Sequence, residues 1–528
     1  MKCRRLSLLS GLCCVIVSGC NVGPNYQPPV VKVNSHFGDI SGPTPPPTTQ
    51  PASVLTSLPA PSGAWWAMFD DPELDRLIQR AMAGNLNLQA AESRLRQSRY
   101  QVIIAGADEY PQINADGGYN HARGSKNVKI PTSAFGVSSP SSPSASPAAK
   151  LGNLKAQPAQ EVAGAEPNGP QSPLGQGGLP NTITDVYQIG FDSTWEIDIF
   201  GGTRRAIEAA NDNAQAALED RNDVLVSLQA EVARDYIALR GYQRQEAITL
   251  ENLGTQRDTL ALTRSKYENG FVTELDVARQ AAEVANTSAE IPPLIASERQ
   301  QIHQLGILLG EDPEALSQEL TIAKPIPPVP PVVPAGLPGD LLRRRPDIRR
   351  AERQAASATA QIGVATADLF PKFTLTGLLG LDSSQPKNLF QYQSHYYEIV
   401  PGVTWPIFDA GRILANVHVQ NEMQRQAVLN YEQTVLSALG EVEDSLASYR
   451  TEQLRRLALI DAVTASRQAL ELARQQYQQG VIDFLTVLDT QRSLLDAEDE
   501  LAQSDQAVSD DLVELYKALG GGWEKSKS

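Results

Sequence analysis

Three segments of the chain alternate between apolar and polar side chains with a period of two. Tyr187, Ile189, Phe191, Trp195, Ile197 and Ile199 fall on one face, and Gln188, Asp192, Thr194, Glu196 and Asp198 on the other. Phe373, Leu375 and Leu379 oppose Lys372, Thr374 and Thr376. Tyr397, Ile399, Val403 and Trp405 oppose Glu398, Gly402 and Thr404. This period predicts strands with one apolar face. Helical stretches fill most of the remainder: 85–109 and 346–369, 203–269 and 412–479, 273–309 and 483–519. Each of the longest, of about 67 residues, spans roughly 100 Å at 1.5 Å per residue. A returning stretch and a short one together nearly match a long one, which predicts one long helix beside two shorter helices stacked end to end. Ile207, Ala210, Ala214, Ala217, Val224 and Leu228 have the 3–4 spacing of a packed seam. The small side chains Ala206, Ala209 and Ala216 allow close helix approach. Gly241 and Gly254 are the expected places for bends.

The order of elements is written twice. Thr194-Trp195-Glu196-Ile197 returns as Thr404-Trp405-Pro406-Ile407, and Tyr267-Glu268-Asn269-Gly270 as Tyr477-Gln478-Gln479-Gly480, both at an offset of 210. Ala105 to Pro111 returns as Ala365 to Pro371 at an offset of 260. A fourth strand is therefore expected to start at Pro111, as its counterpart does at Pro371. The extra residues lie in 131–180, a Ser-, Pro-, Gly- and Ala-rich tract with too little apolar surface to order itself. The expected organisation is a signal peptide at 1–19, a strap at 20–63 and a first repeat at 64–322 containing a long loop at 121–182. A Pro-rich linker at 323–345, a second repeat at 346–519 and a tail at 520–528 complete it. The segment Trp65–Met82, the linker and the tail are expected to be irregular pieces gathered where the two shorter helices meet.

The chain begins with Lys2, Arg4 and Arg5, then an apolar run from Leu6 to Val17 that is too short to span a bilayer. It ends in Val17-Ser18-Gly19-Cys20, which is similar to a bacterial lipobox and makes Cys20 the expected acylated first residue; the alternative is a plain signal peptide with an incidental cysteine. Asn21 follows where an Asp would favour retention at the inner membrane. Prolines 24, 28, 29, 43, 45, 46 and 47 keep the strap extended.

Composition removes several function classes. All four cysteines (Cys3, Cys13, Cys14, Cys20) lie in the first twenty residues, so the body has neither a disulfide framework nor a Cys-rich metal site. The formal charge is −16, which disfavours nucleic acid as a partner. The five histidines (His36, His121, His303, His395, His418) have no metal-ligand spacing, and no GxSxG, HExxH, Walker or GxGxxG motif occurs. No enzyme chemistry and no cofactor are expected.

The counts also bear on assembly. Strands of this period suit a sheet on a soluble core, or a membrane barrel with its apolar side outward. Four strands cannot close a barrel alone, so several chains would have to share one. The aromatics Tyr110, Tyr119, Trp195 and Trp405 at strand ends fit interfacial girdles as well as ordinary core.

Two hairpin tips share one design. Gly270 and Gly480 suit the left-handed position after a helix, Thr273 and Asp483 suit N-caps, and Val272/Val277 and Ile482/Val487 have staple spacing. The repeated Tyr267 and Tyr477 suggest a grooved end that meets a partner. Beyond the second tip, Leu485, Asp489, Arg492, Asp496 and Asp499 recur on one helix face. The first copy has Leu275 and Arg279 at the matching places, and Ala282 where Arg492 stands. Such a face is a solvated surface or, around a pore, a set of charge rings that can close it.

The sequence resembles the TolC-like outer-membrane factor family, in its OprM/NodT-type lipoprotein branch. Its most specific stretches are Cys20-Asn21-Val22-Gly23-Pro24-Asn25-Tyr26, Pro334-Ala335-Gly336-Leu337-Pro338-Gly339-Asp340-Leu341-Leu342 with Arg344-Arg345-Pro346-Asp347-Ile348, and Leu515 to Trp523. The resemblance implies a homotrimer with four antiparallel strands per protomer in a twelve-stranded outer-membrane barrel. It also implies long coiled-coil-like helices forming a periplasmic tunnel. The implied partners are a periplasmic adaptor, an inner-membrane pump of the resistance-nodulation-division type and outer-membrane lipid, with no cofactor beyond the lipid on Cys20. By resemblance Leu485, Asp489, Arg492 and Asp496 form the periplasmic constriction. Tyr267, Gly270, Thr273, Leu275 and Val277, and Tyr477, Gly480, Asp483, Leu485 and Val487, meet the adaptor. A type I protein-secretion duct and a non-conducting structural lipoprotein are the alternatives.

Overall fold

The computed structural model describes residues 21–29, 36–38, 53–58, 63–123 and 183–523. The signal peptide, Cys20 and the 131–180 tract lie outside the described residues. The chain divides into two units.

One unit, drawn from 106–203 and 368–409, is an antiparallel sheet. Its strands are β2 (Gln112–Arg123), β3 (Ile183–Ile197), β5 (Lys372–Ser383) and β6 (His395–Thr404), in the order β2-β3-β5-β6. The register aligns the alternation across all four strands. Ala115 opposes Phe191, Phe191 opposes Leu379 and Leu379 opposes Tyr397. Phe373 likewise joins Ile197 to Val403. The other face is polar and internally bonded: Asn114 Nδ2 donates to Asp192 at 3.0 Å and Gln188 Nε2 to the Tyr396 hydroxyl at 3.1 Å. On the apolar face Ile113, Phe191, Leu379, Tyr397, Ile399 and Val403 are exposed in the single chain. Strand β2 runs three residues into the expected 121–182 loop, because its partners Ile183 to Asp185 extend the ladder.

The two expected tryptophans repeat one bond. Trp195 Nε1 donates to the Glu109 carbonyl and Trp405 Nε1 to the Leu369 carbonyl, both at 3.0 Å.

The other unit is helical. Helices α1 (Pro72–Gly84), α2 (Leu86–Ala107), α3 (Gly202–Glu268) and α4 (Glu274–Leu309) precede the one-turn α5 (Ser317–Leu320). Then come α6 (Pro338–Arg344), α7 (Pro346–Ala367), α8 (Arg412–Gln478) and α9 (Phe484–Ala518). Helices α2 and α7 both have 22 residues, α3 and α8 both 67, and α4 and α9 have 36 and 35. Both α7 and α9 pack along α8, as the lengths predict.

Several expectations are corrected here. The Trp65–Met82 segment is regular: a 3₁₀ turn at Trp65–Phe69 leads into α1, whose N-cap Asp71 accepts from Glu73 N at 2.8 Å and Leu74 N at 3.2 Å. Asp71 followed by Pro72, then Leu74, Leu77, Ile78 and Ala81 on one buried face, is a helix start with a core side. The linker is built as well, since β4 (Val332–Pro334) pairs in parallel with β1 (Val54–Thr56) of the strap and α6 follows. Helix α3 runs unbroken through Gly241 and Gly254, and Gly241 provides room for the Gln506 side chain of α9.

The seam of α3 also differs from the apolar pattern. Its buried positions are Arg205, Ala209, Asp212, Ala216, Glu219 and Asn222, again at 3–4 spacing but rotated from Ile207, Ala210, Ala214 and Ala217. They face α7, where Ser357 Oγ donates to the Ala209 carbonyl, Arg353 reaches Asp212 and Arg349 pairs with Glu219 at 2.6 Å. Ion pairs hold this seam, which leaves the apolar edge of α3 only half-buried.

The core gathers where the shorter helices meet. Trp65 stacks on Tyr516 with centroids 5.5 Å apart, and Tyr236 donates to Asp71 at 2.8 Å. Arg345, from the Arg344-Arg345-Pro346-Asp347-Ile348 motif, binds both oxygens of Asp347, Glu441 at 2.7 Å and the Ala518 carbonyl at 2.9 Å. It thereby ties the start of α7 to α8 and to the end of α9. The tail joins the same junction, with Trp523 Nε1 donating to the Arg344 carbonyl at 3.0 Å.

Candidate gate and partner-binding tips

Each tip closes with the same backbone device. After α3, Gly270 takes φ 76°, its N–H donates to the Tyr267 carbonyl at 2.9 Å, and Phe271 N–H donates to the Lys266 carbonyl at 2.9 Å. After α8, Gly480 takes φ 76°, and Val481 N–H donates to the Gln476 carbonyl at 2.9 Å. This paired bonding satisfies the last carbonyls of a helix and needs a left-handed residue, which glycine supplies without strain. The returning helices are capped locally. Thr273 donates its hydroxyl to Asp276 at 2.7 Å and its N–H at 3.0 Å. Asp483 accepts from Thr486 N at 3.1 Å and from its hydroxyl at 2.6 Å, and these bonds hold its carboxyl below the usual range.

The tips diverge in their side chains. Tyr477 is 5% exposed and packs with Val463, Leu470, Phe484, Val487 and Leu488. Lys266 sits over its ring at 3.8 Å and donates to its carbonyl at 3.0 Å. Tyr267 is 43% exposed, because nothing matching that cluster surrounds it. Val272 and Ile482 both pack against the second tip's cluster, so one small core serves both hairpins. What the tips do share outward is Phe271 with Val481, at 80% and 68% exposure, and Leu275 with Leu485. Phe271 and Val481 were not among the expected contacts, although they too stand 210 residues apart. An apolar residue at a turn apex was the available signal.

Along α9 the expected face is present: Leu485, Asp489, Arg492 and Asp496 are exposed, and Asp499 is half-buried. The sequence reading missed the partner of Arg492. Its Nε and Nη2 donate to the two oxygens of Glu283 on α4, at 3.0 and 2.5 Å, and this pairing raises the arginine pKa further. Glu283 follows Ala282, the residue aligned with Arg492, so alignment of the copies hid it. Burial, with the neighbouring charges of Asp499, Glu283 and Asp496, pushes the Glu290 carboxyl up. Arg492 thus sits among Glu283, Asp489 and Asp496.

Behind this face amides join α4 to α3 within the first hairpin and α9 to α3 across the two. Gln280 Nε2 donates to the Gln256 carbonyl at 3.0 Å and Gln491 Nε2 to the Thr259 hydroxyl at 3.1 Å. The Oε1 atoms of Gln256, Gln280 and Gln491 are buried with no protein partner. Under-bonded buried groups make this packing less stable than an apolar one of the same shape. Among the described residues no group of acidic, His or Cys side chains is arranged to hold a metal, and no helix is long and apolar enough to cross a membrane.

A sheet with an exposed apolar face and a unit of long helical hairpins with charged faces each have known counterparts. The outer membrane efflux protein family matches residues 77–311 and 337–521. The chain belongs to that family. The pyoverdine export outer membrane protein OpmQ of Pseudomonas aeruginosa is 30% identical over 464 residues, with 88% of each chain covered. The toluene efflux pump outer membrane protein TtgI of Pseudomonas putida is 30% identical over 540 residues, covering 100% of each. The structure of the outer-membrane channel OprN superposes with a TM-score of 0.79 at 32% identity, over 96% of this chain and 100% of that one. As a family member the chain is an outer-membrane protein and an efflux channel component.

Proposed function

We propose that this efflux protein is the passive exit duct of a tripartite system for small molecules. Three chains each contribute one sheet to a twelve-stranded barrel, and an adaptor grips the hairpin tips and couples them to a resistance-nodulation-division pump. Cys20 carries the lipid that anchors the strap.

One observation carries the assembly. The sheet presents an apolar face to the outside of the single chain, and β2 and β6 each have only one neighbour among the described strands. Lipid cannot satisfy an open strand edge, so β6 of one copy must meet β2 of the next. The helices support the same closure. Helix α7 is covered along its length, whereas α2 buries only Leu88, Ala91 and Leu95 and leaves Tyr100, Ile103 and Ile104 bare. Helix α8 leaves Leu414, Leu429 and Leu436 bare. If α2 gains from a neighbouring α8 what α7 gains from its own, every copy is equivalent in a ring. The matched helix lengths and the repeated tryptophan bond support an internal duplication.

The Leu485, Asp489, Arg492 and Asp496 face then forms the constriction, held by the Arg492–Glu283 pair. Phe271, Val481, Leu275 and Leu485 form the apolar seats for the adaptor, beside Tyr267, Thr273 and Val277. Recording from purified trimers in planar bilayers tests the reading: discrete conductance is expected, and trimers that never conduct would make the protein a structural tether.

A further inference from the structure

The first described residues are held by a buried arginine. Arg205, in the first turn of α3, is 2% exposed. Its Nε donates to the Val22 carbonyl at 3.1 Å, and its Nη2 to the Gly23 carbonyl at 3.4 Å and the Asn25 side-chain oxygen at 2.7 Å. Its Nη1 donates to Glu208 at 2.7 Å, which balances the charge. The fit around it is close. A Cβ on Gly363 of α7 would stand 2.7 Å from the Arg205 side chain. Gly23 takes φ 86°, and a Cβ there would stand 2.5 Å from the Gly363 backbone. The Tyr26 ring lies 5.9 Å from the Arg353 guanidinium, and its hydroxyl is buried.

A buried guanidinium that spends its donors on the main chain of an otherwise extended segment is a binding site for that segment, since leaving those donors unpaired would cost far more than a surface contact. Asn21 and Cys20 follow directly toward the chain start. Two residues of fully extended chain reach at most about 7 Å, so whatever holds Val22 limits where an acylated Cys20 can be. We propose that Arg205, backed by Gly363, is an internal receptor for residues 22–25 and fixes where the lipid of Cys20 leaves the helical unit. This rests on the reading of Cys20 as the acylated residue. Without the receptor the lipid would be tied to the body only through Tyr26 beside Arg353 and, further along the proline-rich strap, through the buried Phe37 and the bond from Gly38 N–H to Glu443 at 3.0 Å. With it, the acyl chains and the folded body are one mechanical piece.

The test uses the full chain in lipid vesicles with a nitroxide at Gln27→Cys. The acylated Cys20 is not free to react, and the mature body has no other cysteine. The otherwise native chain is expected to give a slow, ordered spectrum. Gly23→Ala, which changes only the strap, and Arg205→Met should each speed label motion about tenfold. Both should leave the acyl mass on the N-terminal peptide and the helical circular dichroism unchanged. Cys20→Ser should lose the acyl mass and keep the ordered spectrum. Unchanged label motion in both clasp variants would overturn the proposal, and release by Gly23→Ala alone would remove Arg205 from it. An unmodified Cys20 in the native chain would refute the acylation reading, and the clasp variants repeated with Cys3, Cys13, Cys14 and Cys20 all replaced by Ser, so that only position 27 carries the label, would still judge the receptor.

Discussion

Arg492 of α9 and Glu283 of α4 join the two helical hairpins through two hydrogen bonds, of 3.0 and 2.5 Å, with the glutamate buried and the arginine half exposed. Breaking the pair strands a buried carboxylate beside Glu290, so it acts as a latch across hairpins whose packing includes the under-bonded Gln256, Gln280 and Gln491. Arg492→Ala and Glu283→Gln should each raise single-channel conductance. The double variant should add little to either, a coupling of roughly 1 kcal/mol after allowance for solvent at the arginine. Asp489→Ala should raise conductance less, and fully additive effects would separate Arg492 from Glu283.

The tips predict an asymmetry between matched tyrosines. Tyr477→Ala empties the small core shared by both hairpins and should lower stability by roughly 3 kcal/mol. Tyr267→Ala removes an exposed ring and should cost less than about 0.5 kcal/mol. Thermal denaturation of the two variants checks this directly.

Much of this was legible in the sequence. Period two specified the faces of β3, β5 and β6 because one residue of slip would reverse every side chain. The offsets of 210 and 260 located β2, and low Gly and Pro content let α3 and α8 run their full length. Three features were not legible. The α3 seam is polar, with Asp212 and Glu219 buried by Arg353 and Arg349, and hydrophobic spacing cannot see a seam made of ion pairs. The Trp65–Met82 segment carries a start signal at Asp71-Pro72 and a core face of Leu74, Leu77, Ile78 and Ala81, but its helix has only 13 residues and follows a proline-rich strap, so its periodicity is brief. Glu283 escaped for a third reason: its partner has no counterpart in the other copy.

The outward apolar residues predict the adaptor footprint. Phe271→Asp or Val481→Asp should weaken binding of the adaptor by about tenfold to a hundredfold while leaving trimers intact, since a charge in an apolar seat costs roughly 1–3 kcal/mol. Surface plasmon resonance against the cognate adaptor measures it, and unchanged affinity in both variants would move the footprint elsewhere.

Stability should fall as pH rises from about 4 to about 7 through three aspartates of the helical unit. Burial raises Asp510 to about 7, and Asp235 and Asp511 to about 6. Gln506 and Arg234 oppose the rise at Asp510, while Asp511 and Asp235 add to it. A carboxyl raised on folding binds its proton more tightly in the native state, so ionisation in the unfolded chain at about pH 4 begins to favour unfolding, and the loss levels off above the folded value. Asp510→Asn should raise the thermal midpoint by roughly 2–4 °C at pH 8 and leave it unchanged at pH 4.

The sheet's two edges, unpaired among the described strands, demand neighbours of their own kind on the proposed reading, and native mass spectrometry of the detergent-extracted protein tests that demand most directly. The expected result is a closed trimer, with the mass of three lipidated chains, that stays associated when the adaptor is absent. A stable, water-soluble single chain retaining its β-sheet signature would contradict it.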